Sequence, residues 1–316
     1  MTKLITTLLT VFITVTFSFG QISTTKIEPK IEQIDNSPYD SIENFLGKDV
    51  NKYIGQEFYL KGVAESSRKY GYSNFYTDYN KGKHYKCCDS YNSKYDELNG
   101  KYFRVIEIIK HPKASENAYL YEKKFYIKLE EKISKDIVYF EYNSQFQHEF
   151  PFVVVGFFEK QKKMSIGKVF IFADRTFGTT TTDINTGKTI STKTGQKWKC
   201  TNLTIEEKYY TVSLIVQNSI GENVWIDYDG VYGKYRKGMV YTNEEADNYI
   251  KKFGTITFNE ILQGKVNIGM TKEMCRLSFG MPKSINETLT AEKKSEQWVY
   301  KDKYLYFDNG ILTTIQ

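Results

Sequence analysis

Hydrophobic and polar side chains alternate with a period of two residues through much of residues 43–238, which indicates β-strands that bury one face. The pattern is clearest at Phe125, Ile127 and Leu129, at Ile137 and Tyr139, and at Val212, Leu214 and Val216. The continuous β-branched run at 153–155 is typical of a strand inside a core. We therefore predict that most of the chain folds as antiparallel sheet.

The hydrophobic period changes to that of a helix after residue 240. Thr242 and Glu245 have the spacing of a capping box, and apolar side chains recur with helical spacing over residues 246–253. Gly254 follows the last of them and can end the helix. This is the clearest helix that the sequence predicts.

A shorter helix is predicted at about residues 272–279. The Thr271 hydroxyl can cap its first turn, Gly280 can end it in the left-handed conformation, and Pro282 prevents its continuation. One face of this helix is apolar and requires a sheet or another helix to cover it. That face carries Met270, Met274 and Leu277.

Two aromatic strands follow the short helix. They are predicted at residues 297–300 and 304–307, and Asp308-Asn309-Gly310 indicates a tight hairpin leading into Ile311. The end of the chain is therefore expected to be a helix followed by an antiparallel meander.

The order of these motifs resembles the SmpA/OmlA (BamE-like) domain over about residues 259–316. The resemblance rests on Gly-Lys-Val-x-Ile-Gly-Met-Thr-Lys-Glu, a helix, Gly-x-Pro, Trp-x-Tyr and Tyr-x-Tyr-Phe-Asp-Asn-Gly. It implies two helices on a three-stranded antiparallel sheet, and a role like that of the family's envelope lipoproteins, which scaffold outer-membrane β-barrel assembly. The layout also resembles the repeats of a β-lactamase inhibitor protein. The matching positions, which are mainly structural, are Gly269, Met270, Thr271, Gly280, Pro282, Trp298, Tyr300 and Phe307.

The first 20 residues have the pattern of a secretory signal peptide. Lys3 precedes an apolar stretch at residues 4–19, and small residues before Gln21 suit signal peptidase. The stretch is diluted by threonines and falls short of the roughly 20 apolar residues that a membrane-spanning helix needs. The BamE-like lipoproteins carry a lipidated cysteine at this point, where this chain has Gln21, so no acyl anchor is expected.

The sequence predicts an α+β, β-rich protein of several units. A polar linker at residues 21–42 leads to a β-rich domain at 43–160, a second β-rich unit at 161–238 and the BamE-like domain at 239–316. The β-rich part is expected to form one or two antiparallel barrels or sandwiches. The second unit aligns with the first as a candidate repeat, with 54–60 matching 166–172 and 100–103 matching 195–198. An alternative is that a glycine before an aromatic strand is simply common in β proteins.

Composition and charge narrow the function classes. Aromatic residues make up 16% of the chain, with only 5 prolines, as in a folded, sheet-rich protein. The formal charge of +6 gives solubility and some attraction to anionic surfaces, and it does not argue for nucleic acid.

The four cysteines are Cys87, Cys88, Cys200 and Cys275. In an oxidising compartment we expect one bridge from Cys87 or Cys88 to Cys200, which would join the two β units. A bridge between the adjacent Cys87 and Cys88 is the least expected pairing, because their Cα atoms are too close for a normal disulfide. Cys275 is expected to be a buried free thiol.

No catalytic, cofactor-binding or metal site is predicted. His84 and Cys87 have the spacing of half a zinc site without a second half, and the three histidines lack the motifs of known hydrolases. A basic and aromatic stretch at residues 68–86 could contact sugar rings or an anionic polymer through Tyr72, Phe75 and Tyr76. The alternative is a hairpin with half-buried tyrosines and solvated lysines.

These observations favour an exported, non-catalytic interaction or scaffold protein of the bacterial cell envelope, whose partner is another envelope or secreted protein. A module that binds cell-surface glycan or another anionic polymer is the alternative, and a secreted enzyme without a recognisable motif is the third hypothesis. We expect no transmembrane segment after signal removal, and a location in the periplasm, at the outer membrane or in the medium.

Overall fold

A computed structural model describes residues 37–233, 236–289 and 293–316. The expected signal peptide and residues 21–36 of the expected linker lie outside the described residues. The last residues of that linker are packed against the protein. The Tyr39 ring lies 6.3 Å from that of Tyr53, and the Gln161 side chain donates to the Ser41 carbonyl at 3.1 Å.

The described chain is α+β and rich in antiparallel strands. The strands are β1 (Glu57–Leu60), β2 (Phe75–Asp78), β3 (Lys83–His84), β4 (Cys87–Asp89), β5 (Asn92–Ser93), β6 (Tyr102–Lys110), β7 (Lys124–Glu131), β8 (Ile137–Asn143), β9 (Phe152–Val154), β10 (Val169–Phe172), β11 (Thr180–Thr182), β12 (Thr189–Ser191), β13 (Lys197–Ile205), β14 (Val212–Gln217), β15 (Asn223–Asp227), β16 (Val240–Thr242), β17 (Ser284–Leu289), β18 (Lys294–Val299), β19 (Tyr304–Asp308) and β20 (Ile311–Ile315). The α-helices are α1 (Tyr95–Leu98), α2 (Ala118–Tyr121), α3 (Val155–Ser165), α4 (Asp174–Phe177), α5 (Tyr228–Tyr232), α6 (Asn243–Phe253), α7 (Thr255–Leu262) and α8 (Lys272–Phe279). The 3-10 helices are η1 (Gly47–Tyr53), η2 (Glu65–Tyr70), η3 (Pro112–Ala114) and η4 (Gln147–Glu149).

Three antiparallel sheets carry most of these strands. The order is β3-β2-β8-β7-β6-β1-β9 in the first sheet, β15-β14-β13-β10-β16 in the second and β17-β18-β19-β20 in the C-terminal sheet. Each order runs from one edge strand to another, so the described strands form open sheets and no closed barrel.

The first and second sheets share one arrangement of five strands. In each, a three-stranded meander (β6-β7-β8 or β13-β14-β15) follows a central strand (β1 or β10), and a last strand (β9 or β16) pairs with the other side of that central strand. Each last strand leads directly into a helix, α3 or α6.

The register of the two sheets also agrees. Phe58 lies opposite Phe103 in the first sheet, and Phe170 lies opposite Trp198 in the second. All four side chains are buried. These residues occupy the positions that the sequence alignment matched, so the two stretches are structurally equivalent.

Irregular features recur at equivalent positions as well. A shift in the ladder follows Val105 in the first sheet and Cys200 in the second. The turn after β7 is closed by the side chain of Glu131, which accepts backbone N–H groups, and the turn after β14 is closed in the same way by Asn218.

The sheets differ in two places. Residues 111–123 form a long connection between β6 and β7, whereas residues 206–211 form a tight turn between β13 and β14. The first sheet also has β2 and β3 beside β8, while the equivalent strand β15 is an edge strand.

The predicted strand positions need one correction. Ile137 and Tyr139 do not form the buried face of β8. That face is formed by Val138, Phe140 and Tyr142, which are 2% exposed or less. The turn after β7 places Val138 opposite the buried Leu129, and this register decides which face points inward.

The expected domain boundaries also move. The boundary at residue 160 falls inside α3, and the one at 238 precedes β16, which completes the second sheet. Helices α6 and α7 cover that same sheet, because Ile171 and Tyr241 pack in one cluster with Phe258.

After β16, the described residues 243–289 and 293–316 contain three helices and four strands, whereas the resemblance implies two helices and three strands. The added strand is β17. Helix α8 has the predicted bounds, cap and terminating glycine, and the capping box at α6 is present as predicted. Helix α8 packs against the sheet through Met274, Cys275 and Phe279. Their cluster also contains Met270, Trp298, Leu305, Phe307 and Leu312.

The positions that matched the BamE-like motif hold α8 on its sheet. The Trp298 and Phe307 rings lie 4.5 Å apart, and the Tyr300 hydroxyl donates to the Gly280 carbonyl at 3.0 Å. Gly269 donates its N–H to the Leu312 carbonyl at 2.8 Å. The remaining matched positions are Met270, which is buried, Thr271, which caps α8, and Pro282, which is half-buried.

The Arg175 side chain of α4 joins the second sheet to α8. Arg175 donates to the carbonyl oxygens of Ser278 at 2.5 Å, Gly238 at 2.7 Å and Leu277 at 3.3 Å. The last carbonyls of a helix have no partner within it, so this guanidinium satisfies them. A Cβ atom at Gly238 would lie 2.5 Å from the Leu277 carbonyl, which explains the glycine there.

Candidate functional site

A cavity of about 360 Å³ lies on the outer face of the first sheet. Its walls come from the two segments that distinguish the first sheet from the second, the β2–β3 extension and the long β6–β7 connection, together with β7 and β8. We call it the tyrosine pocket and define it by Tyr79, His111, Tyr121, Lys124, Tyr126 and Glu141. The second sheet has neither segment in the equivalent place, so its outer face cannot form the same pocket.

The aromatic walls of the pocket are stacked. The Tyr79 ring lies 4.3 Å from that of Tyr126 at an interplanar angle of 23°, and the His111 ring lies 4.2 Å from that of Tyr121 at 13°. Tyr126 and His111 are buried, whereas Tyr79 and Tyr121 are partly open to solvent. The pocket therefore offers ordered aromatic surface supported by buried rings behind it.

His111 serves the pocket as a neutral ring. Its Nδ1 accepts the backbone N–H of Lys113 at 3.2 Å, which leaves the proton of the neutral tautomer on Nε2, 3.5 Å from the Tyr126 hydroxyl. Burial lowers the pKa of His111, an effect that nearby Glu141 opposes. At neutral pH this side chain thus provides an N–H donor and no charge.

An ion pair supplies the charged groups. Lys124 Nζ lies 2.6 Å from Glu141 Oε1, and both side chains are partly buried. The Lys124 ammonium also lies 5.9 Å from the Tyr121 ring centre. The opposite charges of Lys124 and Glu141 balance each other. The remaining N–H groups of the lysine and the remaining acceptor sites of the carboxylate can form hydrogen bonds with hydroxyl groups.

The predicted binding residues lie in different places. Phe75 is fully buried and packs 5.1 Å from Phe140, and Tyr72 is 4% exposed, with its hydroxyl donating to the Lys61 carbonyl at 2.7 Å. The prediction of a surface formed by Tyr72, Phe75 and Tyr76 is therefore wrong. Phe75 and Tyr76 are neighbours on β2 and point to opposite faces, and Tyr72, which precedes β2, is part of the core. Tyr76 alone of the three reaches the outer face, where its ring lies 6.1 Å from that of Tyr126.

The predicted disulfide is also wrong. Cys87 and Cys88 are bonded to each other, and both are exposed. Cys200 is free and fully buried in the core of the second sheet. Burial raises the pKa of Cys200 to about 11 and that of Cys275 to about 12, so both thiols stay protonated at neutral pH.

Sequence reasoning missed most of the pocket because its members come from separate elements. Two local signals were present. Tyr79 lies in the basic and aromatic stretch at residues 68–86, and Tyr126 is a large aromatic residue on the other face of β7 from Phe125, Ile127 and Leu129. His111 and Tyr121 lie in an irregular connection with no period of its own. Their convergence depends on the folded β6–β7 connection.

Across residues 37–233, 236–289 and 293–316, no three His, Cys, Asp or Glu side chains are grouped so that they could hold a metal ion. Within the same ranges, no helix is both long and apolar enough to cross a membrane.

Comparisons of the chain with protein-family models, with curated proteins and with solved structures return no match in any of the three.

Proposed function

We propose that the protein is an exported, non-catalytic binding protein that holds a saccharide ring in the tyrosine pocket. The observation that carries this proposal is a cavity with stacked tyrosine walls beside an ion pair and a neutral imidazole. A pyranose ring has an apolar C–H face that packs on aromatic rings, and a rim of hydroxyl groups that need donors and acceptors. The pocket supplies both.

The charge of the pocket favours a neutral sugar over an anionic polymer. Lys124 is already paired with Glu141, so its positive charge is compensated within the site. The other lysine of the described lining, Lys113, is exposed to solvent, which screens its charge. The neutral state of His111 adds no further positive charge. The lining includes one carboxylate among the residues that the structure describes, whereas glycoside hydrolysis generally uses two. Binding without cleavage is therefore the proposed activity.

The test is binding to a glycan array, followed by calorimetry with the retained oligosaccharide. Replacing Tyr79 and Tyr121 together by alanine removes the accessible rings, and we expect the affinity to fall at least about tenfold. Tyr119→Ala is the matched control, because Tyr119 is on the same connection, is 96% exposed and does not line the pocket. No retained saccharide, or equal affinity in the double variant, would contradict the proposal.

A scaffold role in the envelope is the second proposal, and it follows from the BamE-like motif. The free face of the C-terminal sheet supports it with a polar surface beside a cavity of about 530 Å³. There the Asn286 amide donates to Gln297, the Gln297 amide donates to Tyr306, and the Tyr306 hydroxyl donates to Gln316, each at 2.9 Å. Such a surface suits a hydrated protein contact, and a pull-down from an envelope fraction that recovers no partner would count against it.

A further inference from the structure

Among the described residues, nothing covers one edge of the C-terminal sheet. Strand β17 pairs with β18 on one side, and all six of its residues, Ser284–Leu289, are exposed. The opposite edge is partly covered, because Leu312 of β20 exchanges hydrogen bonds of 2.8 Å with Gly269 and Met270. Open edges are templates for pairing with another strand, and proteins usually protect them.

This chain does protect another edge. On β9, the Asn44 side chain donates to the Phe152 carbonyl at 2.9 Å and accepts the Val154 N–H at 2.8 Å. Strand β17 has no such cover among the described residues, and it contains no lysine or proline that would discourage pairing.

The ladder shows which groups of β17 point outward. The Tyr300 N–H donates to the Lys303 carbonyl at 2.9 Å across the turn between β18 and β19. In an antiparallel pair the hydrogen-bonded residues alternate along each strand. The even-numbered residues of β18 therefore bond to β19. The odd-numbered residues of β18 therefore bond to the even-numbered residues of β17. The backbone groups of Ile285, Glu287 and Leu289 consequently face away from the sheet.

The same three residues are self-complementary. In an antiparallel pair centred on Glu287, Ile285 of one copy lies opposite Leu289 of the other, and the reverse pair forms by symmetry. Ile285 is 37% exposed and Leu289 is 79% exposed, so pairing would cover apolar surface that a single copy leaves in water.

The charge at the centre is already balanced within each copy. Glu287 would lie opposite Glu287 of the second copy, which by itself is unfavourable. Lys294 Nζ lies 3.1 Å from Glu287 Oε2 and compensates that carboxylate from the neighbouring strand. Each copy therefore brings an ion pair to the centre of the contact instead of an isolated negative charge.

We propose that β17 is a dimerisation edge that pairs antiparallel with β17 of a second copy of this chain across a two-fold axis. The two C-terminal sheets then become one continuous sheet. The contact is small, so we expect a reversible dimer with a dissociation constant of about 1 to 100 μM. This proposal does not depend on the tyrosine pocket.

The first test is the molecular mass of the purified full chain by sedimentation equilibrium. Glu287→Pro removes an outward N–H and leaves the bonds to β18 intact, so we expect it to shift the chain to monomer. Glu287→Gln keeps the N–H and should retain the dimer. Leu289→Lys alters an exposed side chain only, so it tests the same contact without introducing a proline into the strand. It should weaken the dimer at least about tenfold.

Cross-linking tests the register. Residues opposite each other in such a pair have Cα atoms about 5.5 Å apart, within the range of a disulfide. Glu287→Cys should therefore form an intermolecular disulfide on mild oxidation. Thr288→Cys is the matched control, because residue 288 lies opposite Asn286 of the second copy and should not cross-link. A wild-type chain that is monomeric at about 100 μM, or a dimer that survives Glu287→Pro and Leu289→Lys, would overturn the proposal.

Discussion

Replacing Phe58 by alanine is expected to lower the free energy of unfolding by about 3 to 5 kcal/mol, and the equivalent Phe170→Ala is expected to have an effect in the same range. Both side chains are almost fully buried at the centre of their sheets. Phe58 has the closer ring contacts, with Tyr53 at 4.9 Å and Phe152 at 5.1 Å, whereas the ring contacts of Phe170 are near 6 Å. We therefore expect Phe58→Ala to be the more destabilising of the two.

The same pair of variants shows whether the two sheets unfold together. Phe158, Val212 and Tyr228 pack against the cores of both sheets, so we expect a single transition that both variants shift. Urea denaturation followed by circular dichroism measures it. Phe146→Ala is the control, because Phe146 is 44% exposed and should change stability by less than about 1 kcal/mol. Two transitions, each moved by one variant, would show that the sheets unfold independently.

Replacing Glu296 by alanine is expected to lower the free energy of unfolding by about 3 to 5 kcal/mol, because it removes the carboxylate from a buried ion-pair network and leaves its partners in place. Glu296 is 6% exposed and binds the ammonium of Lys272, the indole N–H of Trp298 at 2.9 Å and the ammonium of Lys294 at 3.3 Å. Without the carboxylate, the Lys272 charge and the Trp298 N–H lose their partner. The network also joins the first turn of α8 to the sheet.

The Glu296 network predicts an acid-sensitive C-terminal sheet. Burial alone would raise the pKa of Glu296, but hydrogen bonds from Lys272 and Trp298 outweigh it and bring the pKa to about 2. When folding lowers the pKa of a carboxyl group, the group contributes its full stabilisation at pH values above its pKa in the unfolded chain, which is near 4.5 for Glu296. That stabilisation should fall as the pH drops from about 4.5 towards 2.

Denaturation curves at pH 7, 4 and 3 test the Glu296 prediction. Glu296→Gln should be less stable at pH 7 and should lose less stability than the wild type on acidification. Glu273→Ala is the control, since Glu273 forms an exposed ion pair with Lys252 at 2.5 Å and should change stability by about 1 kcal/mol at most. An equal acid response in the wild type and Glu296→Gln would show that this carboxyl does not cause it.

Local signals predicted the elements whose causes lie within a few residues. The hydroxyl of Thr271 and the glycine at 280 place both ends of α8, and the Thr242–Glu245 box starts α6. The hairpin turn before Ile311 is likewise encoded in adjacent residues. These features are short-range, so the sequence contains all that is needed to find them.

Signals that depend on distant partners were missed or misplaced. The face of β8 was assigned wrongly because its register comes from pairing with β7. Strand β17 carries exposed side chains on both faces, so it has no hydrophobic alternation to reveal it. The cysteine pairing failed because burial of Cys200 in the second core is a property of the packed sheet.

The sequence by itself determined that this chain is a sheet-rich α+β protein with a capped helix before a C-terminal meander, and it matched the two stretches that occupy equivalent places in the first and second sheets. The tertiary structure alone decided which tyrosines meet around His111 and which strand edge stays open. Local patterns follow from backbone preferences of neighbouring residues, whereas pockets and edges arise from contacts between segments far apart in the chain, and no short stretch of sequence encodes those contacts.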